Sequence, residues 1–354
     1  DIENNIDLSG EGGMVWFKNR GSGHDHAIFD TERGVDSLLH ANESDEEDTG
    51  GGGITAFNDN GFTIDNTSSP HINDLPDKMV SWTFRKAPGF FDVVKFEGNA
   101  SPGMSPRAVA HDLGCKPGCI IFKNIDSALD WVVYHKSLSD PSDVALALNE
   151  DWDEQNALFF GDTDPTSTHF YVGDHDGTNK DGDNIIAYLF ADGDEAAAQI
   201  FGDDEDESII KCGSYTGDTG DYNTVDDVGF EPQWLLIRKL DSNGAWVMFD
   251  NMRPLTSGVG SVDEYLRANA EDAGSSSSSL ISLLPNGFQI NTSSGWLNSG
   301  STDYIYVAIR RGPMKTPTDA TEVFAIDNQG TGTMPPQYHS NFVVDMALDV
   351  HFFE

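Results

Sequence analysis

An all-β fold made of tandem antiparallel β-sandwich modules, jelly-roll-like and with only short helices, is what this sequence predicts, and three observations predict it. A β-forming string that ends in a base occurs three times, as Val15-Trp16-Phe17-Lys18, Ile120-Ile121-Phe122-Lys123 and Leu235-Leu236-Ile237-Arg238. The eleventh residue after each base is aromatic, Phe29, Tyr134 and Phe249, with turn formers between, which is how a hairpin reads. Aromatic residues make up 10% of the 354 positions and glycines number 36, a composition of many short strands joined by tight turns.

The elements follow in the same order in each copy. The hairpin turns are Asn19-Arg20-Gly21-Ser22, Asn124-Ile125-Asp126-Ser127 and Lys239-Leu240-Asp241-Ser242. Eight residues after the bases stand Trp131 and Trp246, where the first copy has His26. A Leu-x-x-Asn signature comes next: Leu39-His40-Ala41-Asn42, Leu146-Ala147-Leu148-Asn149 and Leu266-Arg267-Ala268-Asn269. Further on, Gly61-Phe62-Thr63-Ile64, His169-Phe170-Tyr171-Val172 and Gly287-Phe288-Gln289-Ile290 alternate as strands with one buried face. Each copy closes on an aromatic strand, Ser81-Trp82-Thr83-Phe84, Ala187-Tyr188-Leu189-Phe190 and Ile305-Tyr306-Val307-Ala308. The connectors repeat too: Phe96-Glu97-Gly98 leads into Gly114-Cys115-Lys116-Pro117, and Tyr215-Thr216-Gly217 into Gly229-Phe230-Glu231-Pro232.

The bases stand 105 and 115 residues apart, the size of one β-sandwich. The predicted modules run over 1–90 with a connector at 91–117, over 118–207 with a connector at 208–232, and over 233–320, each folding around its own core. Residues 321–354 read as a connector and the start of a further module, through Glu322 to Asp327 and Phe342 to Met346. Helix signals are confined to Val35–His40 and Val262–Asn269, the second with Asp263 and Glu264 near its start, where the helix dipole favours acids.

Sixty acidic against 20 basic side chains give a formal net charge of −40. Such a surface repels phosphate backbones, which need clustered Lys and Arg, so nucleic acid is not an expected partner. Salt or bound divalent cations would relieve the self-repulsion, and a marine or hypersaline setting suits the chain. No stretch approaches the roughly 18 to 20 apolar residues of a membrane span, so membrane insertion is not expected. The first residues carry no basic-then-apolar leader, although the chain opens in mid-pattern without a methionine, which leaves room for one upstream. Cys115, Cys119 and Cys212 have no paired C-x-x-C spacing and read as small core residues.

Val15 to Arg20 and Phe29-Asp30-Thr31-Glu32-Arg33-Gly34, the connector strings Arg85 to Val94 and Lys211 to Gly217, and Ala308 to Lys315 together resemble a repeat of tailed-phage virion proteins. That family consists mostly of tail-fibre and structural proteins of marine phages, and the resemblance covers essentially the whole chain. It implies a virion, extracellular location, other virion proteins as partners, a homo-oligomer and contact with a host cell-surface glycan or protein. It names no catalytic residues. This chain departs from the family in its acidity, notably at 42–48 and 203–207.

Residue chemistry marks a few candidate sites. Asp174, Asp176, Asp181 and Asp183 fall in one loop and offer the oxygens a calcium ion takes, so Ca²⁺ is the one cofactor the residues suggest. The spacing is not that of an EF-hand, and the matching segments Asp65 to Pro70 and Asn291 to Trp296 carry one acid and none, so an acid-decorated hairpin tip is the plainer reading. His24-Asp25-His26 offers two imidazoles to a metal but aligns with ordinary hairpin residues of the other copies, and is expected to be a loop without a ligand. No G-x-S-x-G elbow or phosphate loop is present. Trp16, Trp82, Trp131, Trp234 and Trp246 fall on repeated strands and read as core, whereas Trp152 and Trp296 lie in segments that vary between copies. An exposed indole beside Asn and Asp stacks on a sugar face and hydrogen-bonds its hydroxyls, so those two are the candidate glycan-binding residues.

The expected function is a non-catalytic tail-fibre or other host-surface-binding appendage, its modules strung into a rod. A capsid-decorating or filament-forming subunit is the alternative, and a glycan-degrading tailspike a third.

Overall fold

The computed structural model describes residues 1–312 apart from 51, 66–70, 74–78, 195–207, 221, 242–243, 254 and 256–261. The chain divides into a compact unit over Asp1–Arg311 and a second over Gly312–Glu354. The strings read as a further module, at 321–354, lie outside the described residues.

The protein is all-β, built of several antiparallel sheets, and the base-ending strings form the central strands of three large ones. Gly13–Asn19 lies between hairpin partner Ala27–Asp30 and closing strand Met79–Arg85 in a five-stranded sheet. Pro117–Asn124 sits likewise between Val132–His135 and Asn184–Ala191, and Pro232–Lys239 between Trp246–Asp250 and Asp303–Arg310, in six-stranded sheets. The connector strands Phe91–Glu97 and Ile210–Thr216 pair onto the closing strand of the repeat that follows them. A small sheet accompanies each repeat, around Gly61–Ile64, His169–Val172 and Gly287–Ile290.

Register repeats with the sequence. Val15 pairs with Phe29, Ile120 with Tyr134 and Leu235 with Phe249, while Lys18 pairs with Val80, Lys123 with Ile186 and Arg238 with Ile305. One predicted correspondence slips by a residue. Trp82 lies opposite Trp16 and Tyr188 opposite Ile121, but the residue opposite Leu236 is Val307, so Tyr306 is not their counterpart. A slip of one residue changes faces, and Tyr306 packs into the third repeat's own cluster while Val307 faces the shared core.

Both faces of the central strands are buried, which is why they read as continuous apolar runs rather than alternating ones. In the first repeat Val15 and Phe17 pack with Phe62 of its small sheet, and in the third Leu235 and Ile237 pack with Phe288. The opposite faces, Met14 and Trp16 in the first repeat and Trp234 and Leu236 in the third, join the second repeat in one large cluster. The expectation of separately cored modules strung in a row therefore gives way to three sheets sharing a core within one compact unit.

Polar clasps bind the repeats in a cycle. Trp131 Nε1 donates to the His40 carbonyl at 3.0 Å and Trp246 Nε1 to the Ala147 carbonyl at 2.7 Å. In the first repeat a relay does the same: Trp16 Nε1 donates to His26 Nδ1 at 2.9 Å, which leaves the His26 Nε2–H for the Arg267 carbonyl at 3.0 Å. The second repeat thus holds the first, the third holds the second, and the first holds the third. The bases obey the same rule. Lys123 reaches the Ser44 carbonyl (3.2 Å), Arg238 that of Trp152 (2.5 Å) and Lys18 that of Glu271 (2.9 Å). Burial pulls Lys18 and Lys123 down to about 8 and Arg238 to about 10, so all three keep their charge at neutral pH. A third set adds Tyr188 to Asp30, Trp82 to Asp250 and His135 to the Tyr306 carbonyl.

The signature asparagines hold the segments that receive these clasps. Asn42, Asn149 and Asn269 accept the main-chain N–H of His26, Trp131 and Trp246 at 2.8, 2.9 and 3.0 Å. The predicted helices at Val35–His40 and Val262–Asn269 are strands, Ser37–His40 and Val262–Arg267, paired to the hairpins. Sheet pairing overrides the local signal, and buried Asp263 caps the Leu280 and Ile281 N–H groups instead of a helix end. Cys115, Cys119 and Cys212 are buried and form no disulfide.

Candidate functional site

A pocket of about 280 Å³ opens on the second repeat. Val132, Ala145 and Phe159 give it an apolar floor, and Trp152, Asn156 and His175 stand around it with Asp130 and Gln155. The segment that carries Trp152 follows Asn149 and is fixed from the neighbouring repeat, because Arg238 binds the Trp152 carbonyl and the Gly244 N–H binds that of Asp151. Trp152 is half-buried, held at its backbone carbonyl and lining the pocket. His175 Nδ1 accepts the Gly177 N–H at 3.0 Å and the ring packs on Phe159 with centroids 4.1 Å apart. Burial keeps its imidazole below the ordinary range, so the neutral ring carries its proton on Nε2. Asp130 is anchored by Asn149 and Asn156 by Asp143, so the polar rim is pre-set. A flat indole, an apolar floor and fixed donors and acceptors are the chemistry that takes a sugar ring or another small polar-edged ligand.

The other predicted glycan residue, Trp296, lies in the third repeat, half-buried against Tyr265 with ring centroids 5.0 Å apart. The structure does not bring it together with Trp152.

The acid-rich loop is not the predicted hairpin tip. Asp176–Asn179 forms a single helical turn capped by His175, with Gly177, Thr178 and Asn179 buried. Asp174, Asp176 and Asp181 are exposed. Asp183 accepts from Ser127 (2.6 Å) and Asn124 (3.0 Å) and pairs with Lys180, and against burial these bonds hold its carboxyl below the usual range. The four carboxylates do not form a ligand group among the described residues.

The group that does form is Asp25, His40 and His71 in the first repeat, each half-buried, with one ligand atom from each within 4.8 Å of the others. His40 and His71 have ring centroids 4.7 Å apart, and His24 lies 5.8 Å from His71. Burial, then His40, holds the His71 imidazole below its ordinary range. The tripeptide His24-Asp25-His26, expected to be free of a ligand role, thus contributes its carboxylate to this group. His26 does not take part: it is fully buried between Trp16 and Arg267 and is pushed down to about 3, by burial first and Lys18 next. Sequence reasoning missed His40 and His71, although a histidine in the Leu-x-x-Asn segment, where the other copies carry Ala147 and Arg267, was the available signal.

A protein family described as a domain of unknown function, DUF7483, matches residues 4–313, a span that takes in all three repeats. No curated protein and no solved structure matches the chain significantly.

Proposed function

The chain belongs to this DUF7483 family, and we propose that it is a non-catalytic structural protein of a tailed virus, an extracellular virion appendage that contacts the host surface. The pocket beside Trp152 is the observation that carries the reading, because its indole, apolar floor and pre-set polar rim suit a carbohydrate. The acidity supports it from another side. A charge of −40 sets the chain against nucleic acid and leaves neutral or cation-bridged glycans as the surface ligands it can approach. In this reading the chain assembles with other virion proteins and with copies of itself, so that weak single sites act together. Its three repeats serve as a scaffold whose variable loops differ because only some of them bind.

The test is binding of the full chain to a glycan array and to host cells. Trp152→Ala is expected to weaken binding about tenfold or more, the loss of about 1.4 kcal/mol that one stacked ring supplies. Trp296→Ala, which removes a side chain packed on Tyr265, serves as the comparison. Equal binding by wild type and Trp152→Ala would remove the site, and release of sugar fragments on incubation would move the protein to the glycan-degrading class.

A further inference from the structure

We propose that Asp25, His40 and His71 bind one divalent transition-metal ion, zinc being the ion their donor set suits, at a site separate from the Trp152 pocket and independent of the glycan reading.

The hydrogen bonds indicate which ring nitrogens are left to ligate. His40 Nδ1 lies 3.0 Å from the His26 carbonyl oxygen, and His71 Nδ1 lies 3.4 Å from that of Asp25. A carbonyl oxygen only accepts, so each neutral ring carries its proton on Nδ1 and presents the Nε2 lone pair. Ligating histidines are oriented in this way, with the second ring nitrogen donating to a carbonyl or carboxylate. The carboxylate is positioned too: Asn42 Nδ2 donates to Asp25 Oδ1 at 2.7 Å, while Asn42 Oδ1 holds the His26 N–H at 2.8 Å. Two imidazoles and one carboxylate exclude a hard cation such as calcium, which takes oxygen ligands, and match zinc with its fourth position left open. Bonds of about 2.0–2.2 Å place tetrahedral ligand atoms about 3.3 Å apart, so closing from the observed 4.8 Å limit needs at most about 1.5 Å of movement.

The other repeats show that the fold does not need this cluster. In the second, Asn149 holds Asp130 at 2.8 Å just as Asn42 holds Asp25, but Ala147 stands at the His40 position. In the third, Ala245 and Arg267 stand at the two positions. The Asn clasp and the clasp onto the carbonyl are kept in all three, so the imidazoles of the first repeat are additions to a structure that closes without them. The surrounding charge is mixed: Glu43 lies beside Asp25, and Lys18, held by the carbonyls of His24 and Glu271, is the opposing charge. A bound ion would tie the segment around His71 to the first hairpin.

The experiment is zinc titration of the chelator-treated full chain in millimolar calcium, followed by calorimetry and, with cobalt in place of zinc, by visible absorption. One equivalent per chain is expected, with the intense cobalt bands of a tetrahedral nitrogen and oxygen site. His40→Ala, which installs the residue the second repeat carries and is therefore expected to fold, should weaken binding at least about tenfold, as should His71→Ala. Zinc displaced by calcium would mean exposed carboxylates alone and would overturn the proposal. So would the absence of a stoichiometric site, or unchanged binding in a folded His40→Ala chain.

Discussion

The indole N–H of Trp246 reaches the main-chain carbonyl of Ala147 at 2.7 Å across 99 residues of sequence, and both groups are buried. A buried carbonyl that loses its donor keeps the desolvation cost without the bond, so this contact is where the hold of the third repeat on the second can be measured.

Trp246→Phe keeps most of the apolar volume and removes the donor. It is expected to destabilise the chain by about 1–3 kcal/mol in urea unfolding. Trp131→Phe should cost a similar amount, since Trp131 Nε1 serves the His40 and Glu43 carbonyls, both at 3.0 Å.

Asp30 and Arg33 form an ion pair whose side chains are both fully buried, at 2.5 Å, and Asp30 also receives the Tyr188 hydroxyl. Arg33→Met strands the carboxylate and should cost about 3–5 kcal/mol, whereas Arg311→Met, which breaks an exposed pair with Glu231, should cost under about 1 kcal/mol. Comparable losses for the two variants would show that the Asp30 pair is not buried in solution.

Burial holds His135 down to about 3 against an ordinary value near 6.5. The unfolded chain therefore binds the proton that the folded chain refuses between those two values. This residue's contribution to stability rises with pH across that window and is lost on acidification, by up to about 1.4 kcal/mol per pH unit. Carboxylate protonation relieves the net charge over the same range and acts in the opposite direction, so the readout is a difference. Wild type should lose more stability than His135→Gln between pH 6.5 and about 3, and parallel curves would contradict the buried neutral imidazole.

A net charge of −40 implies that added salt stabilises the fold. The Debye length shrinks from about 10 Å at 0.1 M to about 3 Å at 1 M, and repulsion between exposed carboxylates falls with it. The urea midpoint should rise steadily as NaCl is added over that range, and a steady fall would show that attractive pairs outweigh the excess acid.

Much of the fold was legible because strand pairing is written locally. The base-ending strings, the aromatic residue eleven positions on and the Leu-x-x-Asn segment all took the same register in each copy. Tyr306 misled by one residue because its ring suggested the face that Trp82 and Tyr188 occupy, a distinction that pairing partners settle and residue type does not. The shared core was harder to read, since contacts such as Trp246 to Ala147 join distant segments. Its trace was a base closing each apolar strand, Lys18, Lys123 and Arg238, each of which is buried and reaches a carbonyl of a neighbouring repeat. Trp152 stood out by varying between copies. The Asp25 group did not, because His71 reaches it from a separate segment, while the acids at 174–183 drew notice through composition and were then held apart by a helical turn.

In a solenoid each added unit finds an open end to stack on, so length varies freely with gene duplication. Here every described repeat both gives and receives a clasp, so the three close on one another. Inserting another copy into this circuit would first require opening one of its clasps, a constraint that a linear stack does not impose.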